Sequence, residues 1–187
     1  KKCMTALLWC VMLTAALLAQ AQSHKVVKVG DFTSLKVSNN INVIYCADDE
    51  KAGTAEFDAQ QSIANVFIFN NDNKGKLNIQ LADYNLTKGV PTVTVYSSML
   101  QEVINQSDST IIINNIPDTP LFKAKTCNNG TIIIHGLNTN PPELKEATGK
   151  GHIQADGVTE NLVCKLLGTG VIKAFDLAAK EISCTMS

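Results

Sequence analysis

No arginine occurs in this chain of 187 residues; all 16 basic residues are lysine, against 17 Asp plus Glu. Setting aside Lys1 and Lys2 for the reason given below leaves 14 lysines, a net charge of −3. A mildly acidic, Arg-free chain argues against nucleic acid and anionic membranes as partners. Tryptophan occurs once, at Trp9, and aromatic residues make up only 5% of the chain. That scarcity counts against a strong lectin, because sugar faces favour aromatic platforms. The six cysteines include no C-x-x-C pair and no Cys/His cluster, which argues against zinc.

The first residues read as a targeting segment. Lys1-Lys2 precede a long apolar run from Ala6 to Ala19, and Ala19-Gln20-Ala21 supplies a small-x-small cleavage site. This pattern predicts a secretory signal peptide over residues 1–21. An N-terminal anchor helix is the competing reading, but the run is short for a membrane span and ends in a cleavage signal. Lipidation at Cys10 is rejected, because Trp9 precedes it where a small residue is needed and more apolar residues follow. With no initiator Met, the natural chain is expected to begin one residue earlier. The mature part, residues 22–187, is about 166 residues, which suits a single domain with one core. It retains Cys46, Cys127, Cys164 and Cys184. Export permits disulfides without requiring them. Nothing in the mature chain approaches the length of a membrane helix.

What is present is strand signal. Phe32–Val37, Ile41–Tyr45, Val66–Phe69, Leu77–Leu81 and Thr92–Tyr96 are short, β-branched or aromatic, and often alternating. Asn, Asp and Gly clusters such as Asn70–Gly75 separate them. Helical periodicity is confined to weak stretches around Asp58–Ala64 and Leu177–Glu181. The mature chain is predicted to be all-β.

From residue 105 onward the chain repeats. The segments "SDSTIII", "NNGTIII", "GKGHIQA" and "GTGVIKA" align on Ile111, Ile132, Ile153 and Ile172, at spacings of 21, 21 and 19. A second strand precedes each later corner, within Leu121–Cys127, Leu144–Thr148, Leu162–Leu167 and Ile182–Met186. Leu162, Cys164 and Leu166 are matched 20 residues later by Ile182, Cys184 and Met186. A period near 20 signals a repeat architecture. One such unit cannot close a core alone, whereas stacked units pair strand on strand about 4.8 Å apart and line up apolar ladders. The expectation is a right-handed parallel β-helix, or β-solenoid, preceded by an irregular β-rich N-terminal part. The stretch Leu166–Lys173, "LLGTGVIK", is then a corner rather than a phosphate loop. It feeds a strand and lacks the Gly-Lys-Ser/Thr ending, and its glycines are expected to serve positive φ.

Several elements together carry a family likeness. They are the opening Gly30–Ile44, the stretches Lys76–Gln80 and Val93–Leu100, and the later Gly-x-Gly corners. The chain resembles, over about residues 29–187, the putative auto-transporter adhesin, head GIN domain family of exported proteins common in Bacteroides and relatives. Members typically repeat Gly-Ser-Gly-Asp, whereas the corners here read "QSDS", "NNGT", "GKGH" and "GTGV". The resemblance implies a β-helical surface or periplasmic protein with an adhesive role and brings no catalytic motif.

Individual residues invite weaker readings. His135 and His152 occupy different repeat positions, so a metal pair is disfavoured. Asp48-Asp49-Glu50, Asn70–Asn73 and Asp83 could supply calcium oxygens, but solvated turns explain them better. Cys164 and Cys184 are expected to stack within disulfide reach, yet parallel stacked side chains strain the bond. Free, buried thiols are therefore expected. For Cys46 and Cys127 there is no pairing argument. Asn85, Asn105 and Asn129 match the N-glycosylation pattern and are given no role. No catalytic, metal or cofactor residue is assigned, and the ligand site is unknown. The expected function is an exported, non-enzymatic binding or adhesion module with glycans, host matrix or envelope components as partners. A passive envelope assembly protein is the alternative. A polysaccharide-acting enzyme is less supported, since there is no Arg and few acids on the repeat strands. Because Met186-Ser187 falls where another corner should come, the natural protein is expected to continue for at least one more repeat. A peptide map of the native protein ending at Ser187 would refute this.

Overall fold

The computed structural model describes residues 22–72, 74–116, 119, 121–139, 142–146 and 149–187. The expected signal peptide lies outside the described residues. Among those residues the chain is all-β, with fourteen strands in one large sheet. A four-residue helix, α1 (Gln61–Ala64), is the one helix among them. It answers the first weak helical stretch. The second, Leu177–Glu181, lies inside a strand, where pairing with residues 157–161 overrides local propensity.

Two runs of parallel strands form most of the sheet. The first joins β7 (Val93–Ser97), β3 (Val43–Ala47), β9 (Thr110–Asn114) and β11 (Thr131–Asn138). The second joins β6 (Lys76–Leu81), β2 (Ser34–Ser38), β8 (Glu102–Gln106), β10 (Phe122–Thr126) and β12 (Pro142–Glu146). The long strand β13 (His152–Leu166) links them, pairing with β11 through its first half and β12 through its second. Strand β14 (Val171–Met186) follows β13 in parallel along its length. The N-terminal part is antiparallel at its margins, where β1 (Ser23–Lys28) pairs β4 (Thr54–Ala59), β4 pairs β7, and β5 (Phe67–Asn71) pairs β6.

Register explains the core. In the first run Val93, Val43, Ile111, Ile132, Ile153 and Ile172 lie side by side in successive strands. In the second, Leu35, Val103, Ala124, Leu144, Cys164 and Cys184 do the same. Strand side chains alternate between faces, so one buried ladder commits every second residue of each strand to the same core. Both ladders contribute to one apolar cluster, in which Ile111, Ile132, Leu35 and Leu144 are fully buried. Each fully buried aliphatic side chain of this size contributes about 1.5–3 kcal/mol.

The corners differ from the sequence expectation in their chemistry. Gly149 has a positive φ of 101°, as expected of a corner glycine. At Gly130 and Gly151, however, the constraint is space. A Cβ on Gly130 would collide with the Ser107 carbonyl and the Asn105 side chain, and one on Gly151 with Thr126 Oγ1. Neighbouring corners nest too closely for a side chain. Asn105, fully buried, secures one of them. Its Nδ2 donates to Ser109 O (2.9 Å) and Thr131 O (3.2 Å), while its Oδ1 accepts from Ser107 N (3.0 Å).

Tyr45 gives the core a pH dependence. It is fully buried, sits edge-on to Phe32, and donates its hydroxyl to Ser97 O at 3.3 Å. Burial pushes its phenol up from 10.0 to about 12. A raised folded-state value means that the stabilisation is complete below pH 10 and is lost as pH climbs toward 12. Urea unfolding at pH 8 and pH 11.5 should therefore differ, with about 2 kcal/mol of that loss traceable to Tyr45. Tyr45→Phe should remove that part of the pH dependence; an unchanged dependence would exclude Tyr45 as its source.

Candidate functional site

The residues singled out from the sequence do not converge. His135 Nδ1 lies 2.8 Å from Asp156 Oδ2, whereas His152 is the register partner of Thr131, four residues earlier on the adjacent strand. Asp156 also accepts from Gly136 N at 2.7 Å. That bond and the His135 contact hold its carboxyl below the usual range. Among the described residues, no group of three His, Cys, Asp or Glu side chains could hold a metal ion. The acidic turns are occupied with their own backbone. Asp48 Oδ1 accepts from the Glu50 and Lys51 amides, and Asp83 Oδ1 from Asn85 N. Asp72 Oδ1 accepts from the Lys74 and Lys76 amides, which depresses its carboxyl. Asn71 Nδ2 donates to the carbonyls of Val29, Gly30 and Asp31 at 3.0–3.1 Å, pinning the N-terminal segment. Asn73 lies outside the described residues.

All four described cysteines are free, and Cys164 and Cys184 are register partners. The expectation that both are buried is corrected for the described residues: Cys164 is half-buried, and Cys184, on β14, which pairs with β13 alone among them, is exposed. Burial pushes the Cys164 thiol up to about 11. Because the thiolate is the nucleophile, iodoacetamide should alkylate Cys184 of the folded protein well before Cys164. Peptide mass mapping that found Cys164 modified first would contradict this geometry.

The two parallel runs present different chemistry to solvent. On the first, Thr94, Ile44, Ile112 and Ile133, half-buried, and the exposed Gln154 form an outward row that is poor in charge. On the second, lysine recurs along one row of register positions. Asn78, Lys36, Ile104, Lys125, Lys145 and Lys165 are successive register partners. In the adjoining row Ser34, Glu102, Lys123 and Glu143 follow one another. The second row alternates charge, which stabilises a sheet, whereas the first places like charges directly opposite, which does not. Both carboxylates have partners. Glu102 Oε2 accepts from Ser34 Oγ at 2.8 Å, and Glu143 Oε1 lies 2.8 Å from Lys165 Nζ. Among the described residues Lys36, Lys123 and Lys125 have no ion-pair partner. A groove of about 380 Å³ opens beside Lys123, lined also by Thr33, Ser34, Gln101, Glu102 and Leu121.

This lysine row escaped the sequence reading. Its trace was the 20-residue spacing of Lys125, Lys145 and Lys165, whereas Lys36 joins only through pairing across 68 residues to Ile104. A second feature is an apolar hollow of about 220 Å³ over the last rungs of the core, lined by Leu162 and Leu166 of β13 and by Ile172, Ile182 and Met186 of β14. No helix among the described residues is long and apolar enough to cross a membrane.

Set against known proteins, residues 31–187 match the model of the family described as "Putative auto-transporter adhesin, head GIN domain". The chain belongs to this family. Several solved structures share its fold. One, from Bacteroides fragilis, is a putative adhesin with TM-score 0.76 and 15% identity, covering 89% of this chain and 76% of its own. A putative adhesin from Parabacteroides merdae has TM-score 0.60 and 19% identity, covering 89% and 78%. A protein from Parabacteroides distasonis described as a putative lipid binding protein has TM-score 0.62 and 15% identity, again covering 89% and 78%. No curated protein matches.

Proposed function

We propose that residues 22–187 form one right-handed β-solenoid domain with turns of about 20 residues, exported behind residues 1–21. We propose that it acts as a non-enzymatic adhesion or binding module at the cell surface or in the periplasm. The observation that carries this reading is the pair of outward rows. Parallel register holds each row rigid across at least five strands, and each offers a different chemistry to a partner. Pre-set side chains on a stiff scaffold reduce the ordering cost of binding. Membership of an adhesin family and fold-level likeness to proteins named putative adhesins support the same reading.

The test is a glycan and extracellular-matrix array probed with the folded mature protein. Saturable binding to one ligand class is expected. Silence across the array, with a β-rich folded sample, would move the protein to the passive envelope role.

A further inference from the structure

We infer that the lysine row on the second run is a docking track for a linear acidic polysaccharide lying across the strands; this rests on the binding-module reading and names its ligand class.

The placement argues for an anionic partner. From Lys36 to Lys165 the row crosses five strands, or about 19 Å at about 4.8 Å per strand. Lysine stands at four of its five positions. Lys125 and Lys145 are direct register partners, and like charges directly opposite repel; Glu143 already pairs with Lys165 and Glu102 accepts from Ser34, which leaves Lys36 and Lys125 without an ion pair. An anionic chain laid along the row would neutralise this repulsion and exchange its counterions for fixed ammonium groups. The chain as a whole is acidic, so the cationic track is a local feature that net charge conceals.

The same surface selects the class of polyanion. Its neighbouring positions are Asn78 and Ile104 in the row and Ser34, Glu102, Lys123 and Glu143 in the adjoining row, without an aromatic residue. Single-stranded nucleic acid needs stacking platforms, and phosphate recognition favours the bidentate fork of Arg, which is absent. An anionic membrane needs a broad apolar face beside the cations for insertion, whereas here Ile104 and Leu121 stand singly among hydroxyl, amide and charged groups. Point-like ammonium charges spaced along a rigid track, with hydroxyl and amide partners for sugar hydroxyls, fit a chain of sugars bearing carboxylate or sulfate groups. The groove beside Lys123 would take a sugar ring edge against Ser34 and Gln101.

The experiment measures binding of the mature protein to immobilised heparin and to polygalacturonate at several salt concentrations, with dextran as the neutral polymer. Binding to one or both acidic polymers, weakening as salt rises, is expected. The triple variant Lys36→Gln, Lys125→Gln, Lys145→Gln, all in the row, should bind at least about tenfold more weakly and with a shallower salt dependence. The control triple Lys74→Gln, Lys88→Gln, Lys150→Gln, exposed lysines elsewhere, should stay within about twofold of wild type. Unchanged circular dichroism keeps the comparison one of binding. Equal losses in both triples would overturn the track, as would no binding to either polyanion. Tighter binding to single-stranded DNA or to phosphatidylserine vesicles at the same salt would also overturn it. Saturable binding to a neutral glycan alone would remove this inference and leave the binding-module reading standing.

Discussion

Gly157→Val is expected to destabilise the protein by about 3–5 kcal/mol, enough to unfold much of a domain of ordinary stability. Gly157 lies in β13 at φ 127°, between its register partners Leu137 and Leu177. A Cβ there would press into the Leu137 carbonyl, and its distance to Leu137 N would be 2.5 Å. Both atoms belong to a backbone already fixed by the ladder, so neither can step aside cheaply. The β-branched side chain adds the cost of a backbone conformation that L residues avoid. Gly89 provides the control: its φ is 72°, but nothing lies within 4 Å of an added Cβ. Gly89→Val should therefore cost about 1–2 kcal/mol, from backbone strain alone. Urea unfolding of both variants decides the matter. Equal losses would mean that close packing at Gly157 is not the constraint.

The second large effect separates two neighbouring isoleucines. Ile132→Ala should cost about 2–5 kcal/mol, because the side chain is fully buried between Ile111 and Ile153 and truncation leaves a cavity in a stacked ladder. Ile133→Ala, one residue on, should cost under about 1 kcal/mol, since Ile133 faces outward between Ile112 and Gln154 and is half-exposed. Aspartate sharpens the contrast. Ile132→Asp would place an unpaired carboxylate in the core and should prevent folding, whereas Ile133→Asp should leave a folded protein. Thermal unfolding with expression yield reads this directly. A soluble, folded Ile132→Asp protein would show the register of β11 to be wrong by one residue, because a one-residue slip exchanges the two faces.

That pair also shows how far local pattern carries. In "TIII" at 131–134 the sequence has three adjacent isoleucines, and nothing local says whether the middle one faces in or out. Alignment with "GKGHIQA" leans toward Ile132, since Ile153 there is flanked by His152 and Gln154, and pairing with β13 makes the assignment. The corner glycines were visible as corners, but their physical role was not. Positive φ is a property of one residue, whereas the crowding at Gly130 and Gly151 comes from the corner of a neighbouring turn. The acidic clusters were legible as turns, and the structure adds that Asp48, Asp72 and Asp83 each accept from nearby backbone amides.

The candidate site was least legible. Local alternation determined that the chain would be all-β, and the 21-, 21- and 19-residue spacings determined which isoleucines would be neighbours. Both follow from short-range rules: strand side chains have a period of two, and equal segments stack in equal register. The lysine row obeys them only in part: Lys125, Lys145 and Lys165 keep the 20-residue spacing, and Lys36 does not. Lys36 belongs to the irregular N-terminal part, and it reaches Lys125 only because β2 pairs with β8 and β8 with β10. Register between strands tens of residues apart is set by backbone hydrogen bonds and by the fit of the buried ladders, a property of the assembled sheet that no window of the sequence contains. The sequence by itself determined the strands and their buried period. Only the tertiary structure decided which charges stand side by side.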